Sequence, residues 1–278
     1  MTNFYQQFIE TLSLIYDKDE AIAITNLAFE KTLNLPSKND FYQPHLQQKY
    51  FAQLQNCLFR LLANEPLQHI LEESFFLNCK LKVNKNVLIP RPETEELVLL
   101  FIKAANEKNI SSFQIIDVCS GSGCIAIAVA KAFPKATIFA LEKSEKALSV
   151  AKENALTNQV EINFLQQDFF DFASNEKFDF IISNPPYIKE DEMKSMDKNV
   201  LLFEPQEALF VSNQTPLIFY HQLKKLADEN LKQQGLIYLE VNAELANEVK
   251  NLFGENYSAI IQHDMFGKSR FVIAVKNN

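Results

Sequence analysis

The chain has 278 residues, 27 lysines and arginines against 35 aspartates and glutamates, and a formal net charge of −8. That length suits one large domain or two modest ones, and 47% hydrophobic with 22% charged residues excludes a disordered or fibrous chain. No apolar run reaches the roughly 18 residues of a membrane span, the first residues lack the pattern of a signal peptide, and the acidic balance disfavours a protein built mainly to grip phosphates.

Cys57, Cys79, Cys119 and Cys124 form no CxxC pair and share no ligand rhythm with the four histidines. No metal is expected, and free thiols in a reducing cytoplasm are. Glycine is scarce: five occur where average usage of roughly 7% would supply about twenty. Two of the five, Gly121 and Gly123, sit one residue apart, where the backbone needs unusual freedom.

In chain order, Phe4, Phe8, Leu12 and Ile15 recur at helical spacing. Asp17 with Glu20 has the form of a capping box opening a helix over Ala21–Thr32. A turn-like stretch, Leu35–Asp40, precedes one longer amphipathic helix marked by Leu46, Leu54, Leu58 and Leu62. Phe75–Val83 and Val87–Ile89 read as strands turning at Asn84–Asn86. Pro90 and Pro92 make a stiff entry to a helix over Glu95–Ala105. Strands and helices then alternate: strands at Phe113–Val118, Thr137–Leu141, Ile162–Gln166, Phe178–Ser183 and Leu236–Val241, with helices at Gly123–Phe133, Glu145–Leu156, Leu217–Lys232 and Ala243–Phe253. Ala259–His263 and Phe271–Val275 close the chain as an antiparallel pair. This rhythm predicts a doubly wound α/β sheet, which binds ligands at the carboxyl ends of its strands.

At one such end stands Cys119-Ser120-Gly121-Ser122-Gly123, opening a helix whose free N–H groups suit a ligand. Glu142 ends the next strand, where a carboxylate can accept both hydrogen bonds of a ribose diol. Gly121-x-Gly123-x-x-Ala126 with Glu142 also satisfies the dinucleotide fingerprint. A nicotinamide dehydrogenase and an S-adenosylmethionine (AdoMet) enzyme, with Asp117 at the close of its first strand, both fit the loop.

The segment Ser183-Asn184-Pro185-Pro186-Tyr187-Ile188 separates them. Paired prolines stiffen the strand exit and fix two acceptors, the Asn184 side-chain oxygen and the Pro185 carbonyl, for both hydrogens of a planar NH2 group. Tyr187 adds a face to stack on. An amide nitrogen is a poor nucleophile, and such a grip aims its lone pair at a sulfonium methyl. A dehydrogenase has no use for it.

Asp117 to Gly123, Glu142, Asp168 and Asn184–Tyr187 together resemble class I AdoMet-dependent methyltransferases acting on planar nitrogens. With Glu65–Leu71, Val87–Glu96 (which contains Ile89-Pro90-Arg91-Pro92-Glu93-Thr94) and Phe203-Glu204-Pro205, the chain is similar over nearly its whole length to the PrmC/HemK protein-(glutamine-N5) methyltransferases. The resemblance implies a Rossmann-like seven-stranded catalytic domain at 86–278, a β-hairpin linker at 74–85, and an N-terminal helical bundle at 1–73 that docks a peptide chain release factor. It implies that Cys119, Ser120, Gly121, Ser122 and Gly123 contact the methionine part of AdoMet, that Glu142 holds the ribose, and that Asp168 and Phe169 border the adenine. Asn184 would touch cofactor and substrate, Pro185, Pro186 and Tyr187 would line the glutamine site, and Arg91, Glu93 and Thr94 would help wall it. Cys119 stands where the family usually has glycine, and Glu142 where it has aspartate.

The expected activity is methylation of the glutamine amide in the Gly-Gly-Gln motif of release factors, in the cytoplasm, with no membrane or direct nucleic-acid contact. An N6-adenine methyltransferase is the rival, since the same tetrapeptide serves a base amine. The net charge and the first 75 residues, with five basic against nine acidic side chains, stand against it. An AdoMet-binding scaffold without turnover is a second rival.

Overall fold

The structure, a computed structural model, describes residues 4–34 and 44–278. The turn expected over 35–40 lies outside them.

The chain divides into two compact units. One gathers the described residues up to Glu72 together with Asp197–Phe203. Its helices are α1 (Phe4–Leu12), α2 (Lys18–Leu33), α3 (Pro44–Lys49), α4 (Phe51–Leu62) and α5 (Leu67–Leu71). Asp17 Oδ1 accepts from the Glu20 N–H at 2.9 Å and so caps α2. Phe8, Leu12, Phe29, Leu54 and Leu61 make the core, with Phe8 and Phe29 edge to face at 5.4 Å. Ile15 falls beyond α1 and is exposed. The single helix expected through Leu62 is instead broken at Tyr50, whose φ of −105° and ψ of 13° leave the helical basin.

The other unit holds Glu73–Met196 and Glu204–Asn278. It begins with an antiparallel hairpin, β1 (Ser74–Phe76) and β2 (Cys79–Leu81), which turns at Leu77 with φ +50°. The turn expected at Asn84–Asn86 does form, the Asn84 carbonyl accepting from the Val87 N–H at 3.1 Å, but the strand expected over Val87–Ile89 does not. Asn154 explains the difference. Its side chain takes the Lys82 N–H at 2.6 Å and donates to the Lys82 carbonyl at 3.0 Å, so the strand's next backbone groups pair with a side chain instead of a ladder. From the hairpin, Phe76, Cys79 and Leu81 join the core of the sheet unit.

Helix α6 (Pro92–Glu107) follows, with Pro92 in its first turn. The remaining elements are β3 (Gln114–Val118), α7 (Cys124–Ala132), β4 (Thr137–Glu142), α8 (Glu145–Asn158), β5 (Asn163–Gln166), β6 (Phe178–Ser183), β7 (Ile188–Lys189), α9 (Lys198–Phe203), β8 (Phe210–Val211), α10 (Ile218–Asn230), β9 (Leu231–Glu240), α11 (Ala246–Leu252), β10 (Tyr257–His263) and β11 (Ser269–Lys276). The seven-stranded sheet runs β10-β11-β9-β6-β3-β4-β5, as the resemblance implies. β9, β6, β3, β4 and β5 are parallel, and β11 and β10 join antiparallel at one edge. The sequence reading did not contain the small parallel pair β7–β8.

Two apolar layers cover the sheet. On one, Phe101 of α6 makes edge contacts with Phe113, Phe133, Phe180 and Tyr238 at 5.0–5.8 Å. On the other, Tyr220 and Leu223 of α10 and Val249 of α11 pack with Phe178, Ile237 and Leu239. Register does the rest. Val118 pairs with both Leu141 and Ser183, and Ser183 pairs with Leu239. The carboxyl ends of β3, β4, β6 and β9 therefore share one edge, which gathers residues 119–123, Glu142, Asn184–Tyr187 and Glu240.

Candidate active site

After β3 the chain passes through three left-handed residues, Cys119 (φ +62°), Gly121 (φ +53°) and Gly123 (φ +78°), before α7 begins. A Cβ on Gly123 would lie 3.1 Å from Ala151 Cβ, so glycine lets the loop sit tightly against α8. Gly121 faces open space, and its N–H donates to Glu142 Oε2 at 2.9 Å. Glu142 Oε1 accepts from the Ser144 N–H at 2.8 Å. Asp117 is buried at the end of β3. Its Oδ2 accepts from the Ala126 N–H at 3.2 Å, and its Oδ1 and the Ser120 hydroxyl have no hydrogen-bond partner among the described residues. Burial, with the nearby Glu142 charge, pushes the Asp117 carboxyl well above its usual range. Buried polar atoms without partners are rare and costly, so this loop is built for something beyond its own fold.

A cavity of about 800 Å³ opens beside the loop. Cys119, Gly121, Glu142, Asp168, Phe169, Asn184 and Pro186 line it, together with Val87, Leu88 and Phe219, which the sequence reading did not assign there. Asp168 is held below its ordinary range by Lys143 Nζ at 2.8 Å and by the Phe170 N–H at 3.0 Å. Burial and then the charges of Glu142, Asp117 and Asp168 push the Cys119 thiol well up.

Behind Asn184 runs a chain of hydrogen bonds. Asn184 Nδ2 donates to Thr94 Oγ1 at 2.9 Å, and the Thr94 hydroxyl donates to Glu240 Oε2 at 2.7 Å. The Tyr187 hydroxyl donates to Glu240 Oε1 at 2.9 Å. Burial pushes both the Tyr187 phenol and the Glu240 carboxyl up, and the nearby Glu93 adds to each. Asn184 and Pro186 line the cavity, and Thr94, Pro185 and Tyr187 are not among its lining residues.

Arg91 goes elsewhere. Its Nη2 donates to the buried Glu204 Oε1 at 2.6 Å and its Nη1 to the Ile89 carbonyl at 3.1 Å, while Glu204 Oε2 accepts from the Ile89 N–H at 3.0 Å. The guanidinium thus ties the Ile89–Pro92 segment to Glu204. Glu240 was missed by the sequence reading. Its signal was there: a carboxylate closing the apolar run Leu236–Leu239 at the strand edge that had singled out Asp117 and Glu142.

The family described as the methyltransferase small domain matches residues 97–224. A release factor glutamine methyltransferase of Flavobacterium psychrophilum is 37% identical over 277 residues, covering 97% of each chain. The chain belongs to the release factor glutamine methyltransferase family. Another member, from Lactococcus lactis, is 43% identical over 216 residues, 77% of this chain and 78% of its own. Among solved structures, a methyltransferase from Pyrococcus furiosus superposes with a TM-score of 0.54 at 17% identity, over 81% of this chain and all of that one, a likeness of fold. Within this family member, the α/β methyltransferase fold carries the glycine loop, Glu142 and Asn184 on one cavity. Among the described residues no helix is long and apolar enough to cross a membrane, and no group of three histidine, cysteine or acidic side chains is placed to hold a metal.

Proposed function

We propose that this protein methylates the side-chain amide of the glutamine in the Gly-Gly-Gln motif of a peptide chain release factor. The methyl donor is S-adenosylmethionine, which supplies an electrophilic sulfonium methyl. The residues present suit it: Asp117 and Ser120 leave buried polar atoms unpaired at the loop, a cationic amine being the natural partner of the first, and Glu142 keeps lone pairs for a ribose diol. Asp168, Phe169 and Phe219 give the cavity a polar and aromatic end for the base.

The observation that carries the reading is Asn184. It lines the same cavity as the loop and Glu142, and its NH2 group is spent on Thr94, which leaves Oδ1 as an acceptor. That oxygen and the Pro185 carbonyl hold the hydrogens of the substrate amide and direct its lone pair, so most of the gain comes from orientation. The helical unit serves to dock the release factor, and the enzyme works in the cytoplasm, where its substrate is made. The test is co-expression with release factors followed by mass spectrometry of the Gly-Gly-Gln peptide. One added methyl on that glutamine supports the reading, and an unmodified factor beside an enzyme that binds S-adenosylmethionine overturns it.

A further inference from the structure

The carboxamide of Asn184 has two ends of nearly the same size, one accepting and one donating. Packing alone does not choose between them. The hydrogen bonds behind it do. Glu240 is 1% exposed, and each of its carboxylate oxygens accepts from one hydroxyl, Thr94 at 2.7 Å and Tyr187 at 2.9 Å. Thr94 has a single proton, already given to Glu240. Its oxygen therefore meets Asn184 only as an acceptor, and the end that faces it at 2.9 Å is the NH2. Oδ1 is turned to the opposite end.

We propose that Glu240 and Thr94 are positioning residues that lock Asn184 with its acceptor toward the substrate, and that this lock is what selects glutamine over glutamate. The inference rests on the glutamine methyltransferase reading above. A glutamine amide offers two protons to Asn184 Oδ1 and the Pro185 carbonyl. A glutamate carboxylate offers none and meets two acceptors, and a buried site built for N–H groups rejects such an analogue strongly. With the carboxamide inverted, an NH2 group would greet the carboxylate and the discrimination would fall. Tyr187, which follows the two prolines, is tied to the same carboxylate, so one buried charge orders both ends of the tetrapeptide. The charged side chains near it are Arg270 and Glu93.

The test uses the full chain with Thr94→Val, which keeps the shape and removes the hydroxyl, Thr94→Ser, which restores it, and Glu240→Gln as an independent break. Three quantities are read: kcat/KM for a Gly-Gly-Gln peptide, the inhibition constant of the matching Gly-Gly-Glu peptide, and the dissociation constant of S-adenosylmethionine. Thr94→Val and Glu240→Gln should lose about tenfold or more in kcat/KM and narrow the Gln-to-Glu preference by a similar factor, as the loss of one oriented hydrogen bond implies. S-adenosylmethionine should bind unchanged, and Thr94→Ser should recover both peptide readouts. A Thr94→Val enzyme with wild-type rate and preference overturns the lock alone. So does a loss that leaves the Gln-to-Glu ratio untouched, or one that serine does not rescue. A wild-type enzyme that methylates no release factor overturns the functional reading, and the lock with it.

Discussion

Glu142 closes the glycine loop through Gly121, whose backbone N–H meets Oε2 at 2.9 Å. Its other oxygen holds the Ser144 N–H at the start of α8, so one side chain at the end of β4 braces both the loop after β3 and the helix that follows. Bound to backbone on both oxygens, the carboxylate still has lone pairs for a diol. Glu142→Ala should weaken S-adenosylmethionine binding by about 10- to 100-fold, the worth of hydrogen bonds to a charged group. Those contacts exist before and during transfer, so the KM for the cofactor should rise with kcat little changed. Calorimetry with steady-state kinetics checks this, and a kcat loss with normal cofactor binding would contradict it.

Asn184→Ala removes the acceptor itself and leaves the Thr94 oxygen without its donor. The expected cost is about 2–4 kcal/mol in the transition state, or roughly 30- to 1000-fold in kcat. The side chain is only partly buried, so the fold should hold, and circular dichroism beside single-turnover kinetics separates the two effects. A folded variant with near-normal turnover would remove Asn184 from the centre of the reaction.

The sheet was legible because its strands are short apolar runs between helices of clear period, and the cofactor loop because glycine is scarce elsewhere. What the sequence hid was pairing over long distance. Nothing near Asn84 announces that Asn154, seventy residues on, will claim the backbone of Lys82 and end the strand there. Nothing near Arg91 announces that Glu204, more than a hundred residues on, is its partner. Glu240 closes a strand like many others, and only the fold brings Thr94 and Tyr187 to its two oxygens. Local patterns carry elements and exits of strands; the partners of buried charges belong to the tertiary structure.

The Arg91–Glu204 pair joins a guanidinium that is 31% exposed to a carboxylate that is 2% exposed. Arg91→Ala leaves that carboxylate buried with only the Ile89 N–H. The loss should be about 3 kcal/mol, the low end for breaking a buried pair because arginine keeps some water. Lysine should restore part of this, lacking the fork that meets Glu204 and the Ile89 carbonyl together. Thermal midpoints of the three proteins provide the check. Unchanged stability with a raised KM for the release factor would return Arg91 to a substrate wall.

Cys119 occupies a left-handed position, φ +62°, that glycine adopts freely. Cys119→Gly should therefore stabilise the protein or leave it unchanged, by up to about 1 kcal/mol, while a β-branched Cys119→Val should destabilise it. The thiol lines the cavity, yet burial and three surrounding carboxylates disfavour its thiolate, which raises the pKa. Reaction runs through the thiolate, so alkylation at pH 8 should be slow in the folded enzyme and rapid once it is denatured. Peptide mapping after timed iodoacetamide treatment measures this, and fast labelling of Cys119 in the native protein would refute it.

The helical unit has its own core, and residues 1–72, with five basic against eight acidic side chains, suit a protein surface better than a phosphate backbone. If it docks the release factor, a whole factor is held in register for transfer while a short peptide meets only the pocket around Asn184. Removing residues 1–72 should then spare S-adenosylmethionine binding and cut kcat/KM for the whole factor far more than for a Gly-Gly-Gln peptide. Because Asp197–Phe203 groups with the helical unit, the truncated protein loses the partners of α9, and cofactor binding serves to show that the sheet unit is still folded. A unit that only stabilises its neighbour would lower both substrates alike. Equal losses in a truncated enzyme that binds cofactor normally would therefore rule docking out.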